Sequence, residues 1–396
     1  MGLAHSPRIV TDGLVLALDG ANYKSFKGEA TTNEFLDVTW AGDGTNQTGL
    51  TKGATLVTNK NFKYRDYTTY LWTPGSSRNC YLNGNGVDIS TSRTSTVWTF
   101  SCYVKREDGA AITSLNVYMY YPSSDGNASG TIESVGNGWY RVSRTRTGTD
   151  SYISLAGFTG FTAGYRYYLS GPQLEKKSYA TAPTEVDTTR GTTVATGGGW
   201  KDLVGSNNGE IVNGVRESTD GGGCLVFDGT DDKGTFSSPI TASSNQTYEV
   251  WTNAIASASA NLAYAYILHN NSTSSATGNS YLTIGIKPTQ QYFAALNGAY
   301  ATMDSGVTAS NSNIVQIVLT WDGSTQKMYI NGDLKDSEAL STTPQNFSTT
   351  TSFGDWRAST YRMIQGNIYA IKIYNRALSA SEIQQNFNAL RGRFGI

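Results

Sequence analysis

Ile314–Asp333 reads IVQIVLTWDGSTQKMYINGD, and this stretch decides the fold class. A run of β-branched and apolar residues ends at Trp321. Asp322-Gly323 then starts a turn, and Gln326–Ile330 returns with polar and apolar side chains in alternation. Short runs of this kind, bounded by Gly, Asp and Asn, are strands; a helix would space its apolar residues three and four apart. Asn331-Gly332 closes the second strand, because both residues tolerate the φ > 0 that a type I′ hairpin turn needs. The stretch predicts an antiparallel hairpin series.

The same grammar runs outward from it. Gly366–Tyr374 (GNIYAIKIY) is a strand on the C-terminal side, and Cys224–Asp228, Gln246–Asn253, Tyr264–His269, Tyr281–Lys287 and Gln291–Leu296 are strands on the N-terminal side. Residues 180–199 (ATAPTEVDTTRGTTVATGGG) carry few large apolar groups and read as a linker. Before it, Val97–Lys105 (VWTFSCYVK) puts Trp98, Phe100 and Cys102 on one face, and Leu115–Tyr121, Trp139–Thr145 and Tyr165–Ser170 are further strands. Gly13–Asp19 is apolar on both sides, with Leu14, Leu16 and Leu18 on one face and Val15 and Ala17 on the other, as a strand buried within a sheet requires. One helix is predicted near the C-terminus. Ser379 is its N-cap, Glu382 completes a capping box, and Ile383, Phe387 and Leu390 form an apolar stripe that ends at Gly392.

Composition agrees with this reading. The 396 residues suit about two domains. Only 15% are charged against about 25% in an average soluble domain, so Ser, Thr, Asn and the 43 Gly must cover the surface. The 25 Tyr, 13 Phe and 8 Trp supply the core. A net charge of −1, with no basic run interleaved with aromatics, excludes a phosphate-neutralising face and hence nucleic acid as a partner. No apolar run is long enough to span a membrane, and the N-terminus lacks the pattern of a signal peptide, so synthesis in a cytoplasm is expected. Cys80, Cys102 and Cys224 form no CxxC pair and read as buried thiols, with a Cys80–Cys102 bridge left open.

Several segments resemble the concanavalin A-like, laminin-G-like jelly-roll family: Leu225–Asp232 (LVFDGTDD), Thr247–Asn253 (TYEVWTN), Val318–Asp333 and, most specifically, Ile364–Phe387 (IQGNIYAIKIYNRALSASEIQQNF). That last ending, with the closing RGRFGI, is similar to structural proteins of tailed phages. Gly13–Phe26 resembles the first strand of the same family. The W-x-D-L segment that usually follows it within a few residues stands far downstream here, at Trp200–Gly214 (WKDLVGSNNGEIVNG). The intervening residues, through WTFSCYVKR, GWYRVSRT (Gly138–Thr145) and Tyr167–Val186, look like an inserted carbohydrate-binding-module-like jelly roll. The resemblance implies an all-β chain with two antiparallel β-sandwich (jelly-roll) domains and one short C-terminal helix. A discontinuous sandwich would use residues 10–28 and 191–396, and the insertion residues 29–190.

The family's glucanases carry their acids in an E-x-D-x-x-E run on one strand, whose alternation places the carboxylates on one face. TYEVWTN offers only Glu249, read as an outward-facing strand residue. His5 and His269 complete no Ser-His-Asp set or zinc pattern, so no enzyme is expected. The sandwich family often holds a structural Ca²⁺ through loop oxygens. Asp19, Asp202, Asn208, Asp231 and Asp232 fall in suitable loops, although each is also a common turn former. Stacking on a sugar ring needs aromatic faces with polar neighbours. Trp356, Tyr361, Asp355 and Arg357 in Phe353–Arg362, with Tyr264 and Tyr266, form the candidate glycan set; Tyr118, Tyr120, Tyr165 and Tyr167 are a similar group in the insertion. Trp98, Trp251 and Trp321 are expected in the core. The phage resemblance implies a virion structural or appendage protein, docked to other virion proteins and binding host-surface glycans. The alternative is a carbohydrate-binding protein with no virion role. A low-charge surface further suggests a homo-oligomer, a trimer foremost.

Overall fold

The computed structural model describes residues 8–28, 31–32, 40–42, 51–52, 54–65, 67–74, 80–83, 96–120, 127–148, 155–183, 189–191, 193–196, 198–212, 215–218, 220–237, 245–257, 264–271, 280–298, 303–340, 351–354 and 362–396. It is built from antiparallel sheets and one long helix, Ala380–Phe394. The chain divides into two compact units: Met1–Ala30 with Gly191–Ile396, and Thr31–Arg190.

In the first unit, the 11-residue strand Ile364–Tyr374 organises one sheet. Leu14–Asp19 and Cys224–Asp228 share one of its edges, while Gln246–Thr252 and Ile255–Ala256 share the other. Val315–Trp321, Thr325–Ile330 and Asp333–Ala339 extend the sheet as the meander expected from Ile314–Asp333. Asn331 has φ 53° and Gly332 φ 85°, the left-handed pair that turn requires. The facing sheet runs from Phe26–Gly28 and Gly199–Trp200 through Gly209–Val212, Lys233–Phe236, Thr351–Phe353, Ala265–Asn271, Ser280–Ile286 and Gln291–Gly298 to Met303–Thr308. Leu16, Val250, Ile317 and Ile371 of the first sheet meet Phe236, Ile267, Ile284 and Phe353 of the second in one core. Phe353 fits because Gly234 beneath it has no Cβ to collide with the ring.

Alternation along Leu14–Asp19 is less regular than its sequence. A register shift between Leu14 and Leu16 is a bulge, which rotates Leu14 out of the intersheet core and into the cluster of Val10, Val318, Tyr374 and Ile383. Trp98 and Trp321 lie in the intersheet cores, but Trp251 does not. Its neighbours Tyr248 and Val250 face inward, so Trp251 faces the opposite side, stacked on Phe387 and Phe394 of the helix at 5.9 and 4.8 Å. The helix also continues through Gly392. It ends at Gly395, whose φ of 70° supplies the left-handed cap, and the extra turn brings Phe394 onto Trp251 and Tyr369.

Among the described residues the second unit has two six-stranded sheets and a two-stranded one. Thr96–Arg106 lies between Trp139–Gly148 and Tyr167–Glu175 in one six-stranded sheet; Asn116–Tyr120, Leu155–Thr159 and Cys80–Asn83 are consecutive in the other. Trp98, Phe100 and Cys102 share the inward face, as their alternation predicts, and meet Leu82, Met119 and Phe158. The described residues within 180–199 are not a loose linker throughout. Thr181, Ala182 and Arg190 are buried, and Thr189–Arg190 pairs with Thr31–Thr32. The buried Glu175 carboxylate explains the order of this polar stretch: it accepts from Thr31 Oγ1 (2.6 Å), Thr181 N (2.8 Å) and Thr181 Oγ1 (2.8 Å). The three cysteines are free and buried, and burial pushes the Cys80 and Cys102 thiols up, away from the reactive thiolate.

Candidate functional site

Glu249 is the acid on the strand where a glucanase would need its pair. It faces away from the intersheet core, as expected, yet it is fully buried, because the C-terminal helix covers that side of the sheet. Lys372 Nζ lies 2.7 Å from Oε1, Trp251 Nε1 donates to the same oxygen at 2.8 Å, and Asn386 Nδ2 donates to Oε2 at 2.7 Å. Burial would raise its pKa, but the Lys372 charge and these hydrogen bonds outweigh burial and hold the carboxyl below its usual range. An ionised acid enclosed this way has no route to a glycosidic oxygen.

The outer face of the second sheet is different. Ala265 and Ile267 enter the core, so Tyr264 and Tyr266 point the other way. Tyr264 is half-buried, edge-on to Phe293 at 5.2 Å. Tyr266 is buried: its ring lies tilted against His269 at 4.6 Å, and its hydroxyl accepts from Arg362 Nη1 at 2.9 Å. Of the pair, Tyr264 keeps accessible ring surface, while Tyr266 orients Arg362. Trp356, Tyr361, Asp355 and Arg357 lie outside the described residues. Phe293 and Arg362 were not among the candidate glycan residues, although Phe293 stands on an apolar strand and Arg362 is the last residue of the quoted Phe353–Arg362.

The candidate calcium ligands separate into three places. Asp19 pairs with Arg393 at 2.7 Å and caps Ala21 N. Asp202 is buried, accepting from Ala17 N and Val204 N through Oδ1 and from Asn207 N through Oδ2; its own N–H donates to Asn208 Oδ1. Backbone groups thus take up the oxygens of Asp202 and Asn208, which staple the re-entering chain to the first strand. Asp231 and Asp232 converge with Asp228, their carboxylate oxygens within 4.8 Å of one another. Asp228 was missed, although D-G-T-D-D places three acids in one turn. Hard carboxylate oxygens are the donor type a calcium ion takes. Two of them already serve the loop, Asp232 Oδ2 accepting from Asp228 N and Asp228 Oδ1 from Thr230 N.

In the second unit, Tyr165 and Tyr167 do not share a face. Tyr167 is buried, its hydroxyl accepting from Thr162 N at 3.1 Å, and Tyr165 is 42% exposed. Tyr118 is half-buried, and the side chain of Tyr120 lies outside those described.

Residues 228–384 match the family model Laminin_G_3, the concanavalin A-like lectin/glucanases superfamily. No curated protein matches the chain significantly. Among solved structures, the chain is similar to the binding domain of Paraclostridial Mosquitocidal Protein 1 (18% identity, 48% of this chain and 49% of that one, TM-score 0.39). It is also similar to the binding domain of botulinum neurotoxin DC in complex with rat synaptotagmin II (18%, 48% and 49%, TM-score 0.39). A third likeness is to domain 4 of AbnA, a GH43 extracellular arabinanase from Geobacillus stearothermophilus, in complex with arabinotriose (14%, 47% and 91%, TM-score 0.37). The chain covers about half the length of the toxin domains, and likeness at this level carries nothing about a ligand. No helix among the described residues is long and apolar enough to cross a membrane.

Proposed function

We infer that this chain is a non-enzymatic glycan-binding protein. The observation that carries the reading is the contrast between the two outer faces of the sandwich matched by the lectin/glucanase model. One face encloses Glu249, the one acid of Gln246–Thr252, in an ion pair under the helix. The other carries the half-buried Tyr264, edge-on to the buried Phe293, and an Arg362 held by Tyr266. An accessible aromatic ring next to a fixed guanidinium suits stacking on a sugar ring and bonding to its hydroxyls. Trp356, Tyr361, Asp355 and Arg357, which precede Arg362 in the sequence and lie outside the described residues, are proposed to contribute to the same site.

The test is a glycan array probed with the full chain. Saturable binding, lost in Tyr264→Ala and in Arg362→Ala, supports the reading. Release of reducing ends from a β-glucan panel, or binding untouched by both variants, overturns it. The similarity of Ile364–Phe387 to tailed-phage proteins supports a place on a virus particle, as a homo-oligomer docked to other virion proteins; mass spectrometry of purified particles checks this. A structural Ca²⁺ on Asp228, Asp231 and Asp232 belongs to the same proposal, and a melting temperature that does not differ between calcium and chelator removes it.

A further inference from the structure

We propose that the first unit cross-links itself: the Lys372 amine displaces ammonia from the Asn386 carboxamide, leaving an amide bond between the strand Ile364–Tyr374 and the helix Ala380–Phe394. The reactants already meet on one side chain. Lys372 Nζ donates to Glu249 Oε1 at 2.7 Å, and Asn386 Nδ2 donates to Glu249 Oε2 at 2.7 Å. A single carboxylate thus holds the nucleophile on one oxygen and the acyl group on the other, the positioning that makes a slow bimolecular exchange intramolecular.

The surroundings favour the exchange. Glu249 and Asn386 expose no surface, and Lys372 is 5% exposed. A lysine taken out of water can surrender its proton to a partner, which an arginine in the same pair could not. The carboxamide is fixed as well. Its Oδ1 accepts from Val10 N at 2.7 Å, and its Nδ2 donates also to the Tyr374 hydroxyl, at 2.9 Å. That hydroxyl in turn donates to Val10 O at 3.1 Å, and Trp251 Nε1 donates to Glu249 Oε1 at 2.8 Å. Burial keeps out water, the competing nucleophile.

The step balances without a co-reactant. Lys372 passes a proton to Glu249, which leaves a neutral amine beside a neutral acid. The Nζ lone pair attacks Asn386 Cγ, and the carbonyl electron pair moves onto Oδ1, where the Val10 N–H already donates. Glu249 then gives its proton to Nδ2 and takes one from Nζ, acting in turn as acid and base. The Oδ1 pair re-forms the carbonyl, the Cγ–Nδ2 bond breaks, and ammonia leaves. A new Cγ–Nζ bond replaces the Cγ–Nδ2 bond, nothing is oxidised or reduced, and Glu249 ends as a neutral acid. The ion pair is the form from which this reaction starts.

The experiment is intact mass and tryptic peptide mapping of the full chain after prolonged incubation at neutral pH. We expect a mass lower than that of the sequence by one ammonia, no cleavage after Lys372, and a branched peptide joining Lys372 to Asn386. Asn386→Asp should give the same branched peptide by loss of water. Glu249→Gln should slow its formation about tenfold or more. If that variant does not fold, Val10→Pro replaces it; it deletes the N–H, keeps the buried charges, and should slow formation by a similar factor, about tenfold or more. An ordinary Lys372 peptide in the parent overturns the proposal. So does loss of ammonia that maps to another asparagine with Lys372 unchanged, or a branched peptide that forms equally fast in the variants.

Discussion

Glu249 and Lys372 show what a single position decides. Both are almost wholly buried, and the ion pair survives there because Trp251 and Asn386 satisfy the remaining oxygen valences. Removing one partner leaves a charge in a dry site. Glu249→Gln should therefore cost about 3–5 kcal/mol in chemical denaturation, and Glu249→Met combined with Lys372→Met should recover most of that. A single variant as stable as the parent would mean that water reaches the pair. Period-two alternation correctly pointed Glu249 away from the intersheet core. It could not reveal the helix lying over that face, because cover by a remote element leaves no local pattern. Trp251 is buried in a core as expected, and which side of the sheet it faces was unreadable for the same reason: an aromatic on an apolar strand fits either side of a sheet that is buried on both.

The C-terminal helix was legible because its start is written locally. Ser379 and Glu382 make the capping box expected of them, and Arg376 adds a two-pronged ion pair to Glu382 at 3.0 and 2.6 Å. The hydrogen bond from Arg376, followed by that from the Ser379 backbone, pulls the Glu382 carboxyl down to about 2. Its folded value lies below the ordinary 4.5. The stabilisation is therefore complete above pH 4.5 and is lost as pH falls toward 2. Glu382→Gln should cost on the order of 1 kcal/mol at neutral pH and flatten this acid limb of stability, checked by melting temperature against pH. An acid limb identical in parent and variant would contradict the assignment. The helix end was harder to read: Gly392 looks like a stop, yet ring packing by Phe394 outweighs one glycine inside a helix, which costs only about 1 kcal/mol.

Across the whole molecule, the chain leaves the first unit beside the place where it returns. Phe26–Gly28 pairs with Gly199–Trp200 there, and Thr31–Thr32 pairs with Thr189–Arg190 in the second unit. The distance in sequence between Gly13–Phe26 and Trp200–Gly214 is the written trace of this division. The polar composition of 180–199 was misleading where it is described, because Thr181 is buried by hydrogen bonds to the Glu175 carboxylate rather than by apolar packing. Domains inserted at adjacent chain positions can be removed without disturbing their host. Replacing residues 31–190 by a short Gly-Ser linker should leave the first unit folded, with cooperative melting and an unchanged β-type circular dichroism spectrum for its strands. A molten product would show that the units depend on each other. The first unit is also sewn together from distant parts of the sequence: Val10 N donates to Asn386 Oδ1, 376 positions away, and among the described residues the strand partner of Leu14–Asp19 is Ile364–Tyr374. On the ribosome, that first strand emerges long before its partner has been translated. The Thr31–Arg190 unit can mature while synthesis continues, but the first unit closes only after Ile364–Tyr374 is released. Throughout that interval Leu14–Asp19 is an apolar edge without a sheet, and translation speed, rather than final stability, sets how long the nascent chain is exposed to aggregation.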